Sequence, residues 1–383
     1  MNAVALYITI YTFAAIGYVW YRYFFNFLSR QKKYKKNFPK DQNVSVIVPV
    51  YNEIPKLLKQ SIESILRQTR NIELLVINDG SNRRTADILE QLQHAYKFSY
   101  VKFKKNMGKR VAMATGVKRA SGDIIAFVDS DTVLKPNAIE ELIKPFSNPK
   151  MGATTGNATV LNQGKWLGKL IAARYYYAFN VERRSMNYTG VVPVASGVLA
   201  AFRKSIILPK IESFLNQKFL GKVQQYGDDR HLTNLVLEQG YKVFYVDSAV
   251  ALTHAPEKLF QLFKQQMRWR KSYIRETLYA AKFMWKISKM LTFDTLYTAY
   301  MTYNSIVMRL MAWAFIFLYP ILILPYFIIV TIMAFVHNIA LFVERGVKFG
   351  LQSILYAYLY ELFVFWSLPA AILTLNNTEW GTR

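Results

Sequence analysis

Between Thr295 and Val343 only Arg309 carries a charge. So apolar a run cannot serve as a soluble surface. It is also too long for the roughly 20 residues of one bilayer crossing and suits two, with Pro320 and Pro325 near the turn. Met1 to Tyr21 has no charged side chain at all. No basic stretch precedes it and no small-residue cleavage site stands out, so 1–29 reads as a transmembrane helix and not as a cleaved signal. The flank Arg30-Gln31-Lys32-Lys33-Tyr34-Lys35-Lys36 assigns its side of the membrane to the cytoplasm.

Charge narrows the partners. The chain has 49 Lys and Arg against 24 Asp and Glu, a net +25, together with 52 % hydrophobic residues. Beside apolar spans this excess reads as attraction to anionic membrane lipids and not as nucleic-acid binding, for which no recognisable module is present. There is no cysteine and the four histidines are scattered singly. Thiolate sites are thereby excluded, and any metal is a hard cation held by carboxylates.

From 42 to 256 the pattern is different. Val44 to Val50, Ile72 to Ile77, Tyr100 to Phe103 and Asp123 to Val128 read as strands, separated by helical stretches such as Ile54 to Gln68 and Arg84 to Tyr96. That alternation predicts a mostly parallel α/β sheet with its ligand beyond the carboxyl ends of the strands. Polar turns lie there: Pro49-Val50-Tyr51-Asn52-Glu53, Asn78-Asp79-Gly80-Ser81, Asn106-Met107-Gly108-Lys109-Arg110 and Asp129-Ser130-Asp131. Asp129 and Asp131 suit Mg²⁺ or Mn²⁺ holding a diphosphate. Lys109 at a helix start suits a phosphate, and Asp79 and Tyr51 suit a base and ribose.

A long aromatic helical pattern from Trp166 to Met186 follows, then Ser196-Gly197 between apolar strands. In Gly227-Asp228-Asp229-Arg230, neighbouring carboxylates repel, so one can have a raised pKa and act as general base while Arg230 holds the other ionised. Residues 257–294, basic and amphipathic, carry Gln265-Gln266-Met267-Arg268-Trp269 and read as helices in the headgroup plane. Two transmembrane helices then occupy 295–343. The apolar run 349–375 is expected to be in-plane or re-entrant, which keeps the tail 376–383 cytoplasmic. Arg309 and Glu361 are intramembrane charges expected to pair or to line a polar conduit.

In this order the motifs resemble those of processive family-2 glycosyltransferases, most closely the class I hyaluronan synthases. The resemblance rests on Pro49 to Glu53, Asp79-Gly80-Ser81, Asn106 to Arg110, Asp129-Ser130-Asp131, Ser196-Gly197, Gly227 to Thr233, Gln265 to Trp269 with Lys271-Ser272-Tyr273, and Asn377 to Arg383. It implies a GT-A catalytic domain joined to transmembrane and interfacial helices in the cell membrane. It also implies UDP-GlcNAc and UDP-glucuronate as donors and a nascent polysaccharide as acceptor; the rival is a chitin or chitin-oligosaccharide synthase using UDP-GlcNAc alone.

Carried over by residue, Tyr51, Glu53, Asp79, Lys109, Asp129, Gln265 and Arg268 belong to the donor site, and Asp131 with Asp129 to the metal. Ser196, Gly197, Asp228 and Trp269 belong to the acceptor side. Asp229 is the implied base, Arg268 steadies the diphosphate, and Trp380 and Arg383 close the site. Asn78 stands where the family usually has an acid, and Val198 where many relatives carry proline or cysteine.

Overall fold

The computed structural model describes residues 3–31, 42–188 and 190–378. Trp380 and Arg383, and the basic stretch 32–36, lie outside them. Helix α1 spans Ala3–Gln31. The α/β unit then runs β1 Val44–Val50, α2 Pro55–Leu66, β2 Glu73–Asn78, α3 Arg83–Ala95, β3 Ser99–Lys102, α4 Lys109–Arg119 and β4 Ile124–Val128. It continues through β5 Thr132–Leu134, α5 Ala138–Ile143, β6 Met151–Val160, α6 Trp166–Tyr177, β7 Leu199–Arg203, α7 Asp228–Glu238 and β8 Lys242–Thr253.

The sheet order is β3-β2-β1-β4-β7-β6-β8-β5. Strands β3, β2, β1 and β4 are parallel, as are β6 and β8, whereas β7 runs antiparallel to both β4 and β6. Apolar side chains fill both faces. Ile47, Leu75, Ile77, Ile125 and Phe127 pack on one, and Val46, Val48, Val76, Ala126 and Val128 on the other. Strands buried on both sides read as continuous apolar runs, which is why they were visible in the sequence. All four carboxyl ends of the parallel strands therefore open on one edge.

Helix α8, Leu259–Ala280, carries the Arg-Trp pair. The boundary expected between 294 and 295 does not exist, because one helix, α9, runs unbroken over Lys289–Leu318. Ser288 sets its start, its hydroxyl accepting from the Leu291 amide. Among the described residues, three helices are long and apolar enough to cross a membrane: Ala3–Arg30, Lys289–Leu318 and Pro320–His337. The second apolar helix thus ends at His337, short of the expected 343. Val347–Leu362, α10, and Val364–Leu373 form a pair bent by 50°, the geometry of a broken span or a re-entrant loop.

Ion pairs hold the apolar helices together. Arg309 on α9 pairs with Glu361 on α10 at 2.7 Å, and Tyr326 donates to the same carboxylate. Arg22 on α1, 1 % exposed, pairs with Asp294 on α9 at 2.8 Å and donates to Tyr18 and Thr298. Pairing was one of the two roles expected of Arg309 and Glu361. The Arg22–Asp294 pair was not expected, because the helix boundary had been drawn through its partner.

Candidate active site

At the end of β2, Asp79 is buried and its two carboxylate oxygens take the amides of Met107 and Gly108, at 2.6 and 2.9 Å. Burial raises its carboxyl above the ordinary range, although those two hydrogen bonds oppose the rise. Asp79 thus holds the 106–108 turn that starts α4. Beside it, the Asn78 amide donates to the Tyr100 hydroxyl and its carbonyl accepts from the Ser81 amide. An amide at position 78 meets both needs at once.

The Asp129-Ser130-Asp131 turn is fixed from below. Ser130 donates to the buried carboxylate of Glu53 at 2.7 Å, and Glu53 also accepts from the Ile54 amide. Antiparallel pairing of β8 with β5 sets Thr253 opposite Thr132, so His254 follows beside Asp131. Among the described residues no three His, Asp or Glu side chains gather closely enough to cage a metal. Two carboxylates one residue apart fit a hard cation that takes its remaining ligands from phosphate and water.

Lys109 connects the halves of the site. Its ammonium lies 2.7 Å from Asp129 and 3.3 Å from Asp228. Burial works against its charge, but Asp129 and Asp228 outweigh burial and hold it protonated, above the usual lysine range. A Cβ on Gly197 would come within 3.3 Å of that ammonium and 3.5 Å of the Asp129 carboxylate, so the Ser196-Gly197 turn seats directly against the pair. That turn is tied to its neighbours: the Ser196 amide donates to Thr155, and the Ala195 amide to Thr233 on α7.

Helix α7 begins at Gly227, whose φ of +84° allows Asp228 and Asp229 to turn into the cavity. Burial raises the pKa of both carboxyls, but for Asp228 the cations Lys109 and Arg110 overcome it and hold the group below the usual range. For Asp229 burial and the neighbouring Asp228 charge act together and push it up. The expected split of the two acids is present, with one change. The cations that keep Asp228 ionised are Lys109 and Arg110, while the Arg230 guanidinium lies over the Tyr273 ring at 5.1 Å.

From α8, Gln265, Arg268 and Trp269 line the same cavity, and the Trp269 ring stands 6.5 Å from that of Tyr175. Tyr51, Glu53, Asp79, Lys109, Asp129, Asp131, Ser196, Gly197, Asp228 and Asp229 line it too, so the residues singled out from the sequence converge, apart from Trp380 and Arg383, which lie outside the described part. The cavity measures about 1300 Å³ and continues to Tyr18, Arg22 and Thr298 on the apolar helices. Sequence reasoning missed Phe179, Glu182 and Arg183, which also line it. The aromatic run Trp166 to Met186 was their only signal.

The family description Glycosyl transferase family 2 matches residues 45–208. The hyaluronan synthase of Streptococcus pyogenes is 35 % identical over 370 residues, covering 91 % of this chain and 85 % of that one. The chain belongs to glycosyltransferase family 2.

An N-acetylglucosaminyltransferase of Rhizobium sp. (strain N33) is 36 % identical over 257 residues, covering 66 % of this chain and 57 % of that protein. Among solved structures, a mannosyltransferase of Pyrobaculum calidifontis in complex with GDP-Man and Mn²⁺ superimposes with a TM-score of 0.56 at 16 % identity, over 94 % of this chain and 97 % of that one. A likeness at that identity speaks to the fold, which is GT-A. This family-2 glycosyltransferase is thus a GT-A enzyme carrying several apolar helices, a membrane protein.

Proposed function

We propose that the enzyme is a processive, inverting synthase that polymerises UDP-GlcNAc and UDP-glucuronate into hyaluronan and passes the chain through its own membrane helices, with the catalytic domain in the cytoplasm. The observation that carries this reading is the continuity of the cavity. One space of about 1300 Å³ joins Asp79 and Lys109 to Asp229 and Trp269, and then to Tyr18, Arg22 and Thr298. A soluble transferase needs no such opening towards apolar helices.

The chemistry follows from the charges. Asp229, raised by burial and by Asp228, takes the proton from the acceptor hydroxyl while the Trp269 ring supports the acceptor sugar. Lys109 and Arg268 neutralise the leaving diphosphate from the opposite side, so attack is in line and the anomeric centre inverts. Asp228, drawn towards Lys109 at 3.3 Å, holds that ammonium in place. Asp131 and Asp129 would hold Mg²⁺ or Mn²⁺, which when bound adds Lewis-acid neutralisation of the diphosphate.

The rhizobial relative's activity supports a second reading, a chitin-type synthase using UDP-GlcNAc alone. UDP release by the purified protein with Mg²⁺ or Mn²⁺, given each donor alone and both together, separates them. Turnover that requires both donors, with a product cut by hyaluronidase, is the expected result. Sustained turnover with UDP-GlcNAc alone and a chitinase-sensitive product would overturn it.

A further inference from the structure

Arg183, half-buried, lines the cavity without a task in the chemistry proposed. Arg183 closes a π-helical turn, Ala178–Arg183, that extends α6. Its neighbours in sequence are paired: Glu182 with Arg174 at 3.4 Å, and Arg184 with Asp247 at 3.2 Å. Arg183 has no ion pair among the described residues. Its guanidinium lies 3.9 Å over the Phe179 ring, and its Nη1 is buried without a hydrogen-bond partner. Arg230, a second guanidinium without an ion pair among the described residues, lines the same cavity, and its charge acts on Arg183.

A buried charge is costly unless something pairs with it. Here burial pulls the guanidinium down to about 10, even though Tyr245 opposes the fall. Asp229 is a neighbour too, but its own carboxyl is pushed up and it is needed as the base. The missing partner is an anion that enters the cavity.

Position decides which anion. Trp269, Tyr175 and Phe179 form a row of rings, at 6.5 Å and then 6.0 Å, that leads from the acceptor floor to the ring beneath Arg183. Aromatic faces suit the apolar faces of successive sugars, and a guanidinium at the end suits a carboxylate. We propose that Arg183, with Arg230 beside it, receives the carboxylate of a uronosyl unit in the growing chain, behind the acceptor sugar on Trp269. This rests on the hyaluronan reading and adds to it a residue that tells an acidic polymer from a neutral one.

The test compares binding of two ligands to the full-length protein in detergent by calorimetry: a hyaluronan hexasaccharide, and the same molecule with its carboxylates reduced to alcohols. The wild type is expected to prefer the native oligosaccharide by tenfold or more. Arg183→Gln is expected to lose that preference while binding UDP normally, and Arg183→Lys, which keeps the charge, to retain part of it and to carry the test if the glutamine variant fails to fold. An undiminished preference in Arg183→Gln, with the wild type still selective, overturns the assignment and leaves the hyaluronan reading intact. Weakened UDP binding with unchanged preference overturns it too, by assigning Arg183 to the donor. Wild-type protein that ignores both ligands and binds a chitin oligosaccharide overturns the hyaluronan reading itself.

Discussion

Gly80→Ala isolates what the turn after β2 contributes. Gly80 has φ +65°, and a Cβ there would lie 2.3 Å from the Lys105 carbonyl carbon, 2.5 Å from the Asn106 nitrogen and 2.7 Å from the Lys105 Cα. All three are backbone atoms, so no rotamer change relieves the clash and the 105–108 segment must move. That segment is the one Asp79 grips through the Met107 and Gly108 amides. Left-handed backbone costs a non-glycine residue about 1–2 kcal/mol. Losing two hydrogen bonds to a carboxylate costs about 1.5–3 kcal/mol each, roughly 3–6 kcal/mol together. If that second part falls on donor binding, affinity for UDP drops by roughly 10²- to 10⁴-fold.

The control is Gly240→Ala, past the end of α7, where φ is +82° but nothing lies within 4 Å of the added carbon. It carries the backbone cost alone and should leave UDP affinity within about threefold, in line with surface changes remote from a site. Calorimetric titration of UDP into each purified variant measures the difference. Equal affinities in the two variants would refute the claim that the Asp79-held turn shapes the donor site.

Other perturbations test the remaining parts. Asp229→Asn should lower kcat by roughly 10²- to 10⁴-fold with little change in the KM for donor, as removal of a general base does, and steady-state UDP release measures it. Asp228→Asn removes the like charge that helps push Asp229 up. The base then ionises at lower pH, so the acid limb of the kcat/KM profile should move to lower pH, and a move to higher pH would contradict the charge argument. Glu361→Gln leaves Arg309 unpaired in an apolar setting, a loss of about 3–5 kcal/mol for a buried pair. It should lower the melting temperature in detergent, and the double exchange Arg309→Glu with Glu361→Arg should restore part of it.

Much of the site could be read before the fold was known, because its chemistry sits in short motifs at strand ends. Asp79, Lys109, Asp131 and Asp229 were each named from two or three neighbouring residues. The parallel strands β1, β2 and β4 were legible for a related reason: double burial leaves apolar runs. What escaped depended on long-range pairing. The antiparallel course of β7 and the place of β5 beside β8 follow from contacts that no local pattern encodes. The π-helical turn that aims Arg183 inward looks, in sequence, like two more turns of α6. The pairing of Arg22 with Asp294, 272 residues apart, is likewise invisible to any local pattern.

The distribution of the acids ties these observations together. A chain with 24 carboxylates against 49 basic residues has few to spend inside the fold. Asp129 and Asp228 face Lys109, Glu182 faces Arg174, Asp294 faces Arg22, and Glu361 faces Arg309. Each of these neutralises a cation that faces the cavity or packs among the apolar helices. Arg110, Lys271 and Arg275 are buried without an ion pair among the described residues, so what singles out Arg183 is its place: it lines the cavity and they do not. The Nη1 of Arg183 is buried without a hydrogen-bond partner, and an anion entering the cavity can supply the charge it lacks.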